Sequence, residues 1–324
     1  MRRHIGGLTM DRALPRIGIA RVIVVGLIAL IVGPSLAAPE PTYDSLLGQV
    51  LVPSSDPLFG SDEHEYAMTH ALVLASATLV GDDETAESMI RELRDSQMPN
   101  GWGMPWEWDA FADGSVNPTT TAYGITTALA LHALLDAAVT NHTDQEVAAY
   151  WAERLDWYSD QPTDAVWTPN VAAMLAAAVA RFGHFEEAQA VFDRLAVARF
   201  AWPYSARQDT ANDLSHYVYI LWGAEVAREE GVEVAWTTDE AIASLDRYTG
   251  IYPDGVPLTK GMVQASFGPW AVSGNGMTLA FVSRFGGDVS HWATRTRLAL
   301  NAFPSTPRFT AHAVYGIAFT TSHR

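Results

Sequence analysis

Thr119–Ala138 reads TTTAYGITTALALHALLDAA and carries apolar residues on almost every side of a helical wheel. A helix that is apolar all round is buried all round. Pro169–Val179 (PNVAAMLAAAV) repeats the pattern. Asp82–Gln97 and Glu186–Leu195 carry a single apolar stripe opposite a charged face, as does a helix that covers a core from outside. Outward from these stretches the two kinds alternate. Helical periodicity predicts segments near 62–80, 82–97, 118–139, 143–159, 168–182, 184–198, 212–230, 237–249, 273–285, 288–302 and 307–320, with a short helix around Asp44–Val52. No alternating polar and apolar run is long enough to predict a strand of a sheet. The buried kind begins near 62, 118, 168, 212, 273 and 307, a loose hairpin repeat with outer helices between. The helix near 44–52 supplies a sixth outer member. The expected fold is all-α, an (α/α)6 toroid of helical hairpins, with an incomplete ring or α-solenoid as the alternative.

The chain has 324 residues, 48% hydrophobic and 18% charged, which is globular composition. It has no cysteine, so disulfides and thiolate metal sites are excluded. Arg2, Arg3, Arg12, Arg16 and Arg21 precede an apolar run, Val22–Val32, and then Pro34, Ser35, Leu36, Ala37 and Ala38. A basic stretch, a short apolar stretch and a small-residue site predict a signal peptide over 1–38, with a retained anchor as the alternative. Residues 39–60 are expected to be a linker with a short helix, and 61–324 one toroid domain. The expected location is outside the cytoplasm: periplasm, cell surface or medium. Loss of the leader, with its five arginines and one aspartate, takes the formal charge from −17 to −21. Such a body repels nucleic acid and anionic membranes, so the expected partner is a glycan or another small molecule. The membrane enters only through an uncleaved leader.

In a ring of this kind the loops entering the inner helices share one mouth. Asn100–Gly124 holds Trp102, Trp106, Glu107, Trp108, Asp109 and Asp113. Indoles stack on the apolar faces of a pyranose while carboxylates bond its hydroxyls. The structural alternative is that the tryptophans plug the ring and the carboxylates cap helices. Trp202–Tyr219 (WPYSARQDTANDLSHYVY) holds the second cluster. Asp213, His216 and Tyr217 stand at i, i+3 and i+4 and are expected on one face, where carboxylate, imidazole and phenol can move protons. The alternative is an N-cap aspartate beside a core histidine. Tyr66 and His70 form another i, i+4 pair, with Glu63 and Glu65 before it, and Arg308 and His312 open the last inner helix. Tyr204 joins the second cluster. Arg207, Arg308 and Lys260 are the cations placed to meet a substrate carboxylate. HExxH, GxSxG, phosphate-loop and EF-hand patterns are absent, and the ten histidines lack ligand spacing, so neither metal nor cofactor is expected.

Gln97…Asn100-Gly101-Trp102-Gly103 followed by Asn117-Pro118-Thr119-Thr120, and Trp202-Pro203-Tyr204 followed by Asp213…His216-Tyr217, resemble entries to inner helices in the (α/α)-toroid superfamilies. The chain resembles six-hairpin glycosidase-like proteins, including the C-terminal toroid of glucuronyl C5-epimerases. It resembles terpenoid-cyclase and prenyltransferase toroids second, through Gln-x-x-Asn-Gly-Trp-Gly. The likeness covers the architecture of residues 60–320, with short motifs. There is no Asp-x-Asp-Asp motif, Asn212-Asp213-Leu214-Ser215 does not complete a diphosphate-metal motif, and the prenyltransferase zinc site lacks its cysteine. The resemblance therefore implies a carbohydrate-active protein. Hydrolysis would need two carboxylates from Glu107, Asp109 and Asp213, separated by about 5 Å for retention or roughly 6.5–9.5 Å for inversion. Epimerisation or elimination at a uronate would use His216, Tyr217, Tyr204 or Tyr66 as base and acid, with Arg207 or Arg308 on the carboxylate. A non-catalytic glycan-binding or envelope-assembly protein and an isoprenoid- or lipid-acting toroid enzyme are the competing expectations.

Overall fold

Twelve α-helices and one short hairpin appear in the computed structural model, which describes residues 40–51, 65–107, 116–160, 168–205, 208–248, 269–303 and 306–322. The helices are α1 Tyr43–Val50, α2 Ala67–Val80, α3 Asp83–Asp95, α4 Gly124–Asp136, α5 His142–Asp160, α6 Pro169–Arg181, α7 Phe185–Val197, α8 Leu214–Glu229, α9 Thr238–Ser244, α10 Pro269–Phe285, α11 Val289–Ala302 and α12 Pro307–Ser322. A 3₁₀ turn, Leu245–Tyr248, follows α9. The predicted leader, 1–38, lies outside the described residues.

The even-numbered helices are the apolar ones. α6 buries eleven of its thirteen residues and α8 thirteen of its sixteen. The odd-numbered helices bury one stripe. In α3 only Met89 and Leu93 are buried, and in α7 Ala188, Val191, Phe192 and Leu195, the i, i+3, i+4, i+7 spacing of one helical face. Each even helix packs on the next: α2 on α4, α4 on α6, α6 on α8, α8 on α10 and α10 on α12, while α12 packs on α2. The odd helices lie against them, with α3 on α2, α7 on α6, α11 on α10 and α1 on α12. The linker expected over 39–60 thus contains an integral helix: Tyr43, Leu46 and Val50 are buried, and the Tyr43 hydroxyl donates to Asp82 at 3.1 Å.

First turns of neighbouring even helices meet one another. Ser215 on α8 bonds Ser273 on α10 at 3.0 Å, Trp270 on α10 meets Phe309 on α12, and Tyr66 before α2 bonds Thr126 on α4 at 2.7 Å. The even helices therefore run the same way, with their N-termini at one end. Close approach requires glycine at Gly276, where a Cβ would stand 2.6 Å from the His312 and Ala313 backbone.

Two local readings are corrected. α2 and α4 start at Ala67 and Gly124, later than 62 and 118. Pro118–Thr121 forms a turn instead (Thr121 N–H to Pro118 C=O, 3.0 Å), and Tyr123 N–H reaches the Trp102 carbonyl at 2.8 Å. A two-stranded antiparallel hairpin, β1 Pro203–Ser205 with β2 Gln208–Ala211, stands where no strand was expected, and its register is irregular between Pro203 and Ser205.

Candidate functional site at the N-terminal ends of the inner helices

Asp213 is the N-cap of α8 and is buried. Its Oδ1 accepts the His216 backbone N–H at 3.1 Å, and its Oδ2 accepts from His216 Nδ1 at 2.6 Å. A carboxylate only accepts, so His216 Nδ1 carries a proton, and in the neutral ring Nε2 holds the lone pair. The imidazole is 15% exposed, and its Nε2 has no partner among the described residues. A histidine oriented by a buried carboxylate with one open nitrogen is the geometry of a general base.

Two aromatics frame this base. The Tyr204 ring lies 4.6 Å from the His216 ring, edge to face. Tyr204 sits at the irregular step of the hairpin, and such irregularities re-aim a strand side chain. Burial, and then the charge of Asp213, push its hydroxyl up to about 12, so it holds its proton at neutral pH and serves as a donor. The second aromatic, Trp270, opens α10. Its ring is 5.9 Å from His216 and 4.9 Å from Phe309, and the Arg308 guanidinium stands 5.4 Å from its centroid. Arg308 is buried and also packs over Phe309 at 4.5 Å.

Beyond Arg308 the cluster continues around the helix starts. His312 Nδ1 donates to the Arg308 carbonyl at 2.8 Å, which leaves Nε2 to accept from the Tyr219 hydroxyl at 2.5 Å. Burial above all pulls His312 down to about 4, so it is neutral, and burial drives Tyr219 upward. Tyr66, buried on the next helix, meets Trp106 at 5.3 Å edge to face, and the Trp106 indole N–H is buried without a partner. His70 is buried one turn into α2.

Asp213, His216, Tyr204, Arg308 and His312 thus lie on one band of contacts through Trp270, and Tyr66 with Trp106 forms a second group. Others are placed elsewhere. Tyr217 is buried against Trp202 at 5.3 Å and Tyr248 at 5.0 Å, with Arg247 over its ring, away from the partners of His216. Trp102 is fully buried and donates its indole N–H to the Leu93 carbonyl at 2.7 Å, a packing role. Glu107 is exposed, and no described contact joins it to Asp213. Trp108, Asp109, Asp113, Glu63, Arg207 and Lys260 lie outside the described residues. Trp270 and Tyr219 escaped the sequence reading. Trp270 was legible only as an aromatic at a helix start, and Tyr219 as the residue one turn beyond His216. Among the described residues no His, Asp and Glu cluster is arranged to hold a metal, and no helix is long and apolar enough to cross a membrane. No protein-family model matches the chain, and no curated protein or solved structure matches it.

Proposed function

We propose that the helices form an (α/α)6 toroid and that its N-terminal rim processes a uronate-containing polysaccharide or oligosaccharide outside the cytoplasm, by proton abstraction next to the carboxylate. Packing of each inner helix on the next, and of α12 on α2, supports the ring. The observation that carries the chemistry is the Asp213–His216 pair, with the open nitrogen of His216 beside a protonated Tyr204 and a buried Arg308. His216 Nε2 takes the proton on the carbon adjacent to the carboxylate. The electron pair left behind delocalises into the carboxylate, where Arg308 offsets the growing charge. Return of a proton to the opposite face gives the epimer. Alternatively the C4–O bond breaks, Tyr204 gives its proton to the leaving oxygen, and an unsaturated uronate results. Hydrolysis by paired carboxylates is the less supported branch, because both oxygens of Asp213 are engaged by His216.

Incubation of the protein with alginate, polygalacturonate and glycosaminoglycan polymers tests this, with ultraviolet absorbance for the unsaturated product, proton spectra for the epimer and reducing ends for cleavage. Absorbance or inverted uronate is the expected result. New reducing ends without absorbance would replace the proposal by hydrolysis, and no change in any polymer would reject it.

A further inference from the structure

Tyr204 belongs to a strand of only three residues, yet its ring is held 4.6 Å from that of His216. A short two-stranded hairpin with an irregular step does not fix a side chain unaided. Its support lies at the open end. The last backbone pair there is Pro203 with Ala211, and proline has no N–H for the ladder. One residue further out the Asn212 side chain takes over, donating its Nδ2–H to the Trp202 carbonyl at 3.2 Å. Asn212 is buried, and its Oδ1 accepts from no described residue. A buried amide bonded at one end adds little to stability.

The 3₁₀ turn Leu245–Tyr248 grips both chain segments that leave this end. Tyr248 donates its hydroxyl to the Asn212 carbonyl at 3.0 Å. Its neighbour Arg247 donates to the carbonyl of Phe200, on the approach to β1. Phe200 stands at φ +59°, in the left-handed region that a bulky side chain avoids. Such a residue persists only where its surroundings hold it, and its ring packs 5.6 Å from both Trp202 and Trp236. Asn212 also precedes Asp213, the N-cap that orients His216. The entry to β1, the exit from β2 and the start of α8 are thus tied together.

We propose that Asn212, held by Tyr248, is a positioning residue that sets the acid Tyr204 against the base His216. It acts through the hairpin and the α8 cap. The roles of acid and base rest on the proton-abstraction reading above; the geometry does not.

The test reads the ring protons of His216 in histidine-labelled protein, assigned by their loss in His216→Gln. A neighbouring aromatic ring displaces such resonances, and Tyr204→Leu gives their position without it. In Asn212→Ala with a native melt, they move most of the way to that position. Tyr248→Phe loses one hydroxyl and about 2 °C of melting temperature, and moves them part of the way. On uronate polymers, kcat of Asn212→Ala falls roughly tenfold to 10²-fold while KM holds. Unmoved resonances in Tyr248→Phe and in folded Asn212→Ala overturn the proposal, whatever the turnover. If Asn212→Ala does not fold, Tyr248→Phe decides alone. If the unaltered protein turns over no uronate, displaced resonances in the variants still support the clamp and only the reaction fails.

Discussion

The two ends of the even-numbered helices differ in their ion pairs. At their C-terminal ends the charges are matched. Arg181 donates to Asp136 at 2.7 Å and to His132 Nδ1 at 3.2 Å, Arg284 pairs with Glu229 at 2.5 Å, and Trp222 and Tyr315 pack on each other. Residues from all six even-numbered helices line a cavity of about 20 Å³, room for a single water molecule. At their N-terminal ends His216 keeps an open nitrogen, the Trp106 N–H is orphaned, and Arg308 is buried among rings. The N-caps of α2, α4 and α6 make no side-chain capping bond, whereas Asp213 caps α8 and holds the base as well.

Mutations at the rim and away from it should give opposite signatures. The largest effect expected is on turnover. Asp213→Asn keeps an N-cap residue but offers His216 Nδ1 a mixed partner, so the imidazole loses its fixed tautomer. Turnover should drop roughly 10²–10⁴-fold while the melting temperature hardly moves; a parallel fall in both would make Asp213 a structural cap. Away from the rim, Asp144 is fully buried and accepts from both Arg94 nitrogens, Gln97 and the Asn141 backbone. Asp144→Ala removes both charge-assisted bonds of that arginine and should cost about 3 kcal/mol in chemical denaturation, with kcat of the surviving folded protein unaltered.

A third effect comes from pH. Burial, followed by the charge of Arg181, pulls His132 down from 6.5 to about 3, and burial pulls His312 down to about 4. The unfolded chain binds protons near 6.5 that the folded chain refuses. Stability is therefore full above pH 6.5 and falls as pH drops towards 4 and then 3, by on the order of a few kcal/mol. Melting temperatures from pH 7 to 4 check this, and the fall should be shallower in His132→Gln; an equal slope would show that carboxylates alone carry it. Smallest is Tyr66→Phe, which removes one hydroxyl bond to Thr126 and should cost about 1 kcal/mol, since Thr126 can turn to its own helix.

Much of the base was legible in the sequence and less of the rim. Apolarity on every face of Thr119–Ala138 and Pro169–Val179 marks inner helices without reference to any contact, and Asp213 reads as an N-cap from its own position. The direction each side chain takes inside an all-apolar helix is not so encoded. His216 and Tyr217 are neighbours on α8, and both are enclosed, so periodicity does not say which meets the rim; contacts with Tyr204 and with Trp202 decide it. Trp270 meets His216 only because α8 and α10 pack side by side. The hairpin went unread because seven residues of β1 and β2, with proline and an irregular step, carry too little alternation to announce a strand.

Deuterium incorporation is the most direct test of the central claim, that the rim histidine removes a proton next to a uronate carboxylate. A uronate oligosaccharide is held with the protein in heavy water, and its spectrum is compared with that from His216→Gln, verified as folded by its melt. The account predicts deuterium at that carbon, or an unsaturated product, with the unaltered protein and neither with the variant. Equal incorporation in both would contradict it and move the chemistry away from His216.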